Sequence, residues 1–116
     1  MITIYHNPRC SKSREALTLL QDIASRSQFE VTVVEYLKTP LTLEQLSSLQ
    51  RLLGCTAAEM VRSNEEEYAA LQLTQADEAG LLHALASHPK LLQRPIVVRD
   101  SRGVIARPPE RVRELF

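Results

Sequence analysis

One thiol, one imidazole and three cations fall within a nine-residue run, His6-Asn7-Pro8-Arg9-Cys10-Ser11-Lys12-Ser13-Arg14. A thiol attacks as its thiolate, and nearby cations or the unsatisfied amides of a helix N-terminus favour that anion. The same amides can hold a bound oxyanion. A buried cysteine beside a solvated basic turn is the alternative. Position 13 is serine, so Cys10 has no Cys-x-x-Cys partner. Cys55 follows Gly54 in a leucine-rich region and reads as a small packing residue. Two readings stay open for His6. Its imidazole could orient or ionise the thiol, since histidine titrates near neutral pH. It could equally be a hydrogen-bonded turn residue. His83 lies in a leucine-rich helical pattern and His88 at its end, so both read as structural. The two cysteines and three histidines show no metal-ligand spacing, so no metal is expected.

Positioning Cys10 requires a strand before it and a helix after it. Ile2, Ile4 and Tyr5 supply strand propensity, and Asn7-Pro8 is turn punctuation. Ala16, Leu17, Leu20, Ile23 and Ala24 recur at helical spacing. Val31 to Tyr36 reads as a second strand, which makes a right-handed crossover with parallel strands. A helical middle follows. Thr42 and Gln45 form a capping box for a helix bearing Leu43, Leu46, Leu49 and Leu53, closed by Gly54. Thr56 with Glu59 repeats that signature for a short helix. Ser63-Asn64 could cap a segment from Glu65 to Leu71, and Thr74 could open a helix carrying Leu81, Leu82 and Leu85. Strand character returns at Ile96-Val97-Val98. Asp100 to Gly103 signals a turn, Val104 to Ala106 a partner strand, and Pro109 the first turn of a last helix through Phe116. The order is β-α-β, helices, β-β-α. This predicts an α/β fold, a thioredoxin-like four-stranded mixed sheet with flanking helices and a helical insertion between strands 2 and 3. A chain of 116 residues suits one domain, 1–116, with the insertion at approximately 41–90.

Fourteen basic and fourteen acidic side chains cancel, which gives no reason to expect nucleic-acid or anionic-membrane binding. Apolar runs are too short to cross a membrane, and Met1-Ile2-Thr3-Ile4 lacks the pattern of a signal peptide. Two cysteines make no disulfide framework, so a reducing cytoplasm is the expected location.

Four stretches then resemble, in order and spacing, the glutaredoxin-coupled arsenate reductase family, which has a thioredoxin-like fold. They are Tyr5 to Arg14, Tyr36-Leu37-Lys38-Thr39-Pro40, Val61 to Glu65 with Tyr68, and His88-Pro89 through Leu92 to Val98 followed by Arg107-Pro108. The resemblance implies that Cys10 is the nucleophile toward arsenic, with His6 near the thiol. It implies that Arg62, Arg94 and Arg107 hold the oxyanion, and that a cis bond precedes Pro95. It further implies arsenate reduction to arsenite with glutathione as reductant and glutaredoxin as partner, and no bound cofactor. Arginine suits the role because its planar fork matches an oxyanion's oxygens. Read singly, Arg62 could be a solvated helix residue and Arg107 a surface charge. Two other functions fit the same fold: a glutathione-linked thiol oxidoreductase with another substrate, and a non-enzymatic protein similar to a redox-regulator branch. That branch often carries the dithiol which Ser13 precludes here.

Overall fold

The computed structural model describes residues 2–116 and separates into two compact units. One joins the chain up to Thr39 to Arg94–Phe116; the other is Pro40–Gln93.

The first unit is built on a four-stranded sheet. Strand β1 (Ile2–His6) buries Ile2, Ile4 and His6, as the two-residue period of a strand dictates. Strand β2 (Val31–Glu35) runs parallel to it, pairing Ile4 with Val33. Strands β3 (Ile96–Arg99) and β4 (Arg102–Ile105) form an antiparallel hairpin, and β3 is antiparallel to β1. The sheet order is β2-β1-β3-β4. Asp100 makes the hairpin turn with φ of 55°, a left-handed conformation that aspartate tolerates better than most residues.

Helix α1 (Ser11–Ser27) buries Ser13, Ala16, Leu20 and Ala24 along one stripe. It ends where Gln28 turns left-handed at φ 59° and the Phe29 amide donates to the Ala24 carbonyl at 2.9 Å. Ile2, Ile4, Ala16, Leu20, Val97, Val104, Ala106, Val112 and Leu115 form one apolar cluster. Truncating a fully buried member such as Leu20 to alanine would cost about 2–5 kcal/mol.

The closing helix predicted from Pro109 is a 3-10 helix, Pro109–Leu115. Pro109, Val112 and Leu115 are its buried residues. At three residues per turn this spacing lines the three side chains up along one edge of the helix. Arg99 fastens this end: its guanidinium lies 4.5 Å from the Phe29 ring and 4.8 Å from the Phe116 ring, and Nη1 donates to the Leu115 carbonyl at 2.8 Å.

In the second unit, helix α2 (Leu43–Leu53) carries the predicted capping box. Gln45 N donates to Thr42 Oγ1 at 3.1 Å, and Thr42 N donates to Gln45 Oε1 at 2.9 Å. Gly54 closes the helix at φ 63°. The Thr56–Glu59 pair also forms, but it leads only into a 3-10 turn, Ala58–Met60. Helix α3 (Glu66–Ala70) is shorter than predicted, and Glu65 rather than Ser63 or Asn64 stands at its cap position. Helix α4 (Glu78–Ser87) starts at Asp77, not at Thr74, which lies in the 3-10 turn Leu73–Gln75. The Asp77 carboxylate accepts from Gly80 N at 2.8 Å, and a charged cap at the positive end of the helix prevails over a neutral threonine upstream. Helices α2 and α4 pack together. Among the described residues no helix is long and apolar enough to cross a membrane.

Candidate active site

Cys10 occupies the cap position of α1, with extended backbone angles of −96° and 122°. Asn7 shapes the loop that delivers it. Its Oδ1 accepts from Arg9 N at 3.0 Å and its carbonyl from Cys10 N at 3.0 Å. Arg14 Nη1 donates to the Pro8 carbonyl at 2.9 Å, closing the loop from the helix side.

Ser13 ties the loop together. Its hydroxyl oxygen accepts from Asn7 N at 3.0 Å and lies 2.6 Å from His6 Nδ1, and the residue is fully buried. In the sequence Ser13 stands out only as the missing second thiol. Its burial on the stripe with Ala16 and Leu20 is the one signal that could have marked it. His6, at the end of β1, is buried and meets the cysteine loop through this hydroxyl. Burial holds its pKa below the ordinary value; Glu35 pulls it up and Arg14 pushes it down. A neutral imidazole at neutral pH follows.

Cys10 is partly buried, and burial on its own raises a thiol pKa. The Ser13 amide, the Arg94 guanidinium and the Lys12 amide outweigh that and hold Cys10 below its ordinary value. The thiol makes no capping hydrogen bond, whereas a thiolate would draw the free amides of the first turn. Cys55 is the contrast. Burial, Glu59 and Glu78 all raise its pKa, which keeps it a protonated, weak nucleophile.

Arg94 and Arg107 are brought together at the open end of the β3–β4 hairpin. Arg107 Nη1 donates to the Arg94 carbonyl at 3.0 Å, and Ala106 N donates to the Pro95 carbonyl at 2.9 Å. The Arg94–Pro95 bond is cis, as the resemblance implied, and Arg107–Pro108 is cis as well. The Arg94 guanidinium favours the Cys10 thiolate, by hydrogen bonding and by charge, while the Arg107 side chain stays exposed. Arg62 belongs to the helical unit. Its amide donates to the Leu91 carbonyl at 2.7 Å beside the Val61–Leu92 bridge, and its Nε faces Glu65. Among the described residues no three histidine, cysteine or acidic side chains gather as a metal site would need.

A thiol held below its ordinary pKa at a helix N-terminus, with Arg94 and Arg107 at the neighbouring strand start, is the set of groups that a nucleophile beside an anion site would use. The profile of the ArsC family matches residues 5–115. The chain belongs to the ArsC family. It is 44% identical over 117 residues to the uncharacterized protein YfgD of Escherichia coli K12, covering 98% of this chain and 95% of that one. It is 41% identical over 114 residues to an arsenate reductase of Neisseria meningitidis, covering 96% and 94%. The structure of an arsenate reductase from Vibrio cholerae superposes with a TM-score of 0.91 at 42% identity, covering 99% of this chain and 97% of that one. The four-stranded mixed sheet with its flanking helices is the thioredoxin-like fold of the ArsC family. In this ArsC chain the strand-to-helix turn at Cys10 and the strand start at Arg94 meet because β1 and β3 are neighbours in the sheet.

Proposed function

We propose that this protein reduces arsenate to arsenite, with Cys10 as nucleophile. The observation that carries this reading is Cys10 at the cap position of α1, where the first-turn amides and the Arg94 guanidinium favour its thiolate and leave positive charge for an oxyanion beside it. The relatives named as arsenate reductases support the choice of oxyanion.

The Cys10 thiolate attacks arsenic, an As–O bond breaks, and the oxygen leaves as water after protonation. Arg94 and Arg107 hold the remaining oxygens. Glutathione, as thiolate, then attacks the Cys10 sulfur. The S–As bond breaks with its electron pair staying on arsenic, so As(V) becomes As(III) and Cys10 becomes a mixed disulfide. A glutaredoxin thiol resolves that disulfide, and two thiols have supplied the two electrons. A chain whose second cysteine is held protonated suits a scheme in which the further thiols come from partners. His6 serves as a positioning residue, holding the cysteine loop through Ser13. The cytoplasm, where glutathione is abundant and reduced, is the compartment this chemistry requires.

The test is arsenate turnover with glutathione and glutaredoxin, for the wild type and Cys10→Ser. Turnover that disappears with the thiol supports the reading, because an alcohol is a far poorer nucleophile at neutral pH. Absence of arsenite from the wild type refutes it. Reduction of hydroxyethyl disulfide in its place would assign the same cysteine to thiol–disulfide exchange.

A further inference from the structure

Ser11, Arg14, Glu15, Thr18, Leu19 and Asp22 line an open groove of about 660 Å³ on α1, within the range of small-ligand sites. Helical spacing puts most of them opposite the buried stripe of Ser13, Ala16, Leu20 and Ala24. The groove begins at Ser11, the residue after Cys10. Two opposite charges stand side by side near that end. Arg14 gives Nη1 to the Pro8 carbonyl at 2.9 Å, and its Nε–Nη2 edge makes no hydrogen bond among the described residues. That edge suits a carboxylate. Glu15 lies 3.5 Å from Lys12 Nζ in a pair whose side chains are 58% and 50% exposed. Such a pair is weak, so a ligand's ammonium can displace the lysine.

A carboxylate and an ammonium on one carbon form the head of a free α-amino acid. Glutathione carries that head, because its glutamyl residue is linked through the side chain. Length then decides where the head sits. A γ-glutamyl-cysteine arm spans roughly 7 Å. Along the helix axis Arg14 and Glu15 stand about 6–8 Å from Cys10, and Asp22 about 18 Å, out of reach. We propose that this groove seats the γ-glutamyl head of the thiol that attacks Cys10, with Arg14 on its carboxylate and Glu15 on its ammonium. This rests on the reading above only in taking glutathione as the attacking thiol.

The experiment uses the Cys10–pyridyl mixed disulfide of the full chain in a Cys55→Ser background, with no arsenate present. An added thiolate attacks the Cys10 sulfur, the S–S bond breaks, and its electron pair leaves on pyridine-2-thiolate, whose absorbance gives the rate. Glutathione is compared with N-acetylcysteinylglycine, which lacks the γ-glutamyl head, each rate taken per unit of thiolate. The ratio of the two cancels any change in Cys10 itself, and circular dichroism checks the fold. In the wild type glutathione should be faster by about fivefold. Glu15→Gln should lower the ratio roughly two- to fivefold, the worth of an exposed ion pair. Thr18→Trp, whose ring points back along the helix over Arg14 and Glu15, should bring the ratio close to one. Asp22→Asn removes the same charge beyond reach and should leave the ratio unchanged. A wild-type ratio near one overturns the proposal. So does a ratio that Glu15→Gln leaves intact, or one that Asp22→Asn lowers as much. If the wild type reduces arsenate but shows no preference between the thiols, only this proposal fails. If the preference holds and depends on Glu15 while no arsenite forms, the arsenate reading fails and the groove keeps its ligand.

Discussion

The Ser13 hydroxyl oxygen lies 2.6 Å from His6 Nδ1, in a buried contact that joins the end of β1 to the first turn of α1 across the loop bearing Cys10. The same oxygen accepts from the Asn7 amide at 3.0 Å. Ser13→Ala should therefore leave two buried groups unsatisfied and destabilise the fold by about 1–3 kcal/mol. Urea denaturation measures this. Alkylation of Cys10 should slow in the same variant as the loop loosens. A stability loss below about 0.5 kcal/mol, the level of ordinary surface substitutions, would contradict the structural role.

His6 links stability to pH. Burial lowers its folded-state pKa from the ordinary 6.5, so the unfolded chain binds more protons between the two values. The contribution is fully present above about pH 6.5, the unfolded value, and is lost as pH falls toward the lower folded value. Carboxylates titrate in part of this window, so the comparison is wild type minus His6→Asn, by thermal unfolding from pH 7.5 down to about 5. The wild type should lose more stability than the variant over that range. Equal slopes would refute the prediction.

The two thiols should separate by pH. Cys10 is held below and Cys55 above the ordinary thiol value. Alkylation followed by peptide mass analysis should modify Cys10 first, with a lower pH midpoint than Cys55. Coincident midpoints would mean that the helix N-terminus and Arg94 do not activate the nucleophile.

Arg94 should act on the thiol and Arg107 chiefly on the anion. Arg94→Ala should raise the Cys10 midpoint, because it removes both a hydrogen bond and a charge from the thiolate. Arg107→Ala should move that midpoint little while weakening arsenate by about 1.5–3 kcal/mol, the usual worth of a charge-assisted contact. Arg94→Lys should recover part of the midpoint shift but little arsenate binding, since the ammonium has no fork. An unchanged midpoint in Arg94→Ala would sink the electrostatic account.

Signals carried by near neighbours were legible in the chain. The Thr42–Gln45 box and the Gly54 stop needed only residues within one helical turn. Cys10 at a strand-to-helix junction followed from two periodicities meeting at Asn7-Pro8. The hairpin turn at Asp100 and the paired strands beside it were equally local. Local signals also misled where two competed. Thr74 and Asp77 are both good caps, and the charged one prevailed.

What the sequence determined by itself, then, was the element order, the place of Cys10 at the start of α1 and a roster of arginines, because each is written in spacings of a few residues. Tertiary structure decided which of these touch. Ser13 meets His6 because α1 packs back along β1, and Arg94 meets Cys10 because the sheet order makes β3 a neighbour of β1. The last helix is a 3-10 helix that buries Pro109, Val112 and Leu115, the last two in the cluster of β1, α1 and the β3–β4 hairpin. Such contacts join residues distant in the chain, and only the burial of the whole apolar cluster selects among the pairings that the sequence leaves open.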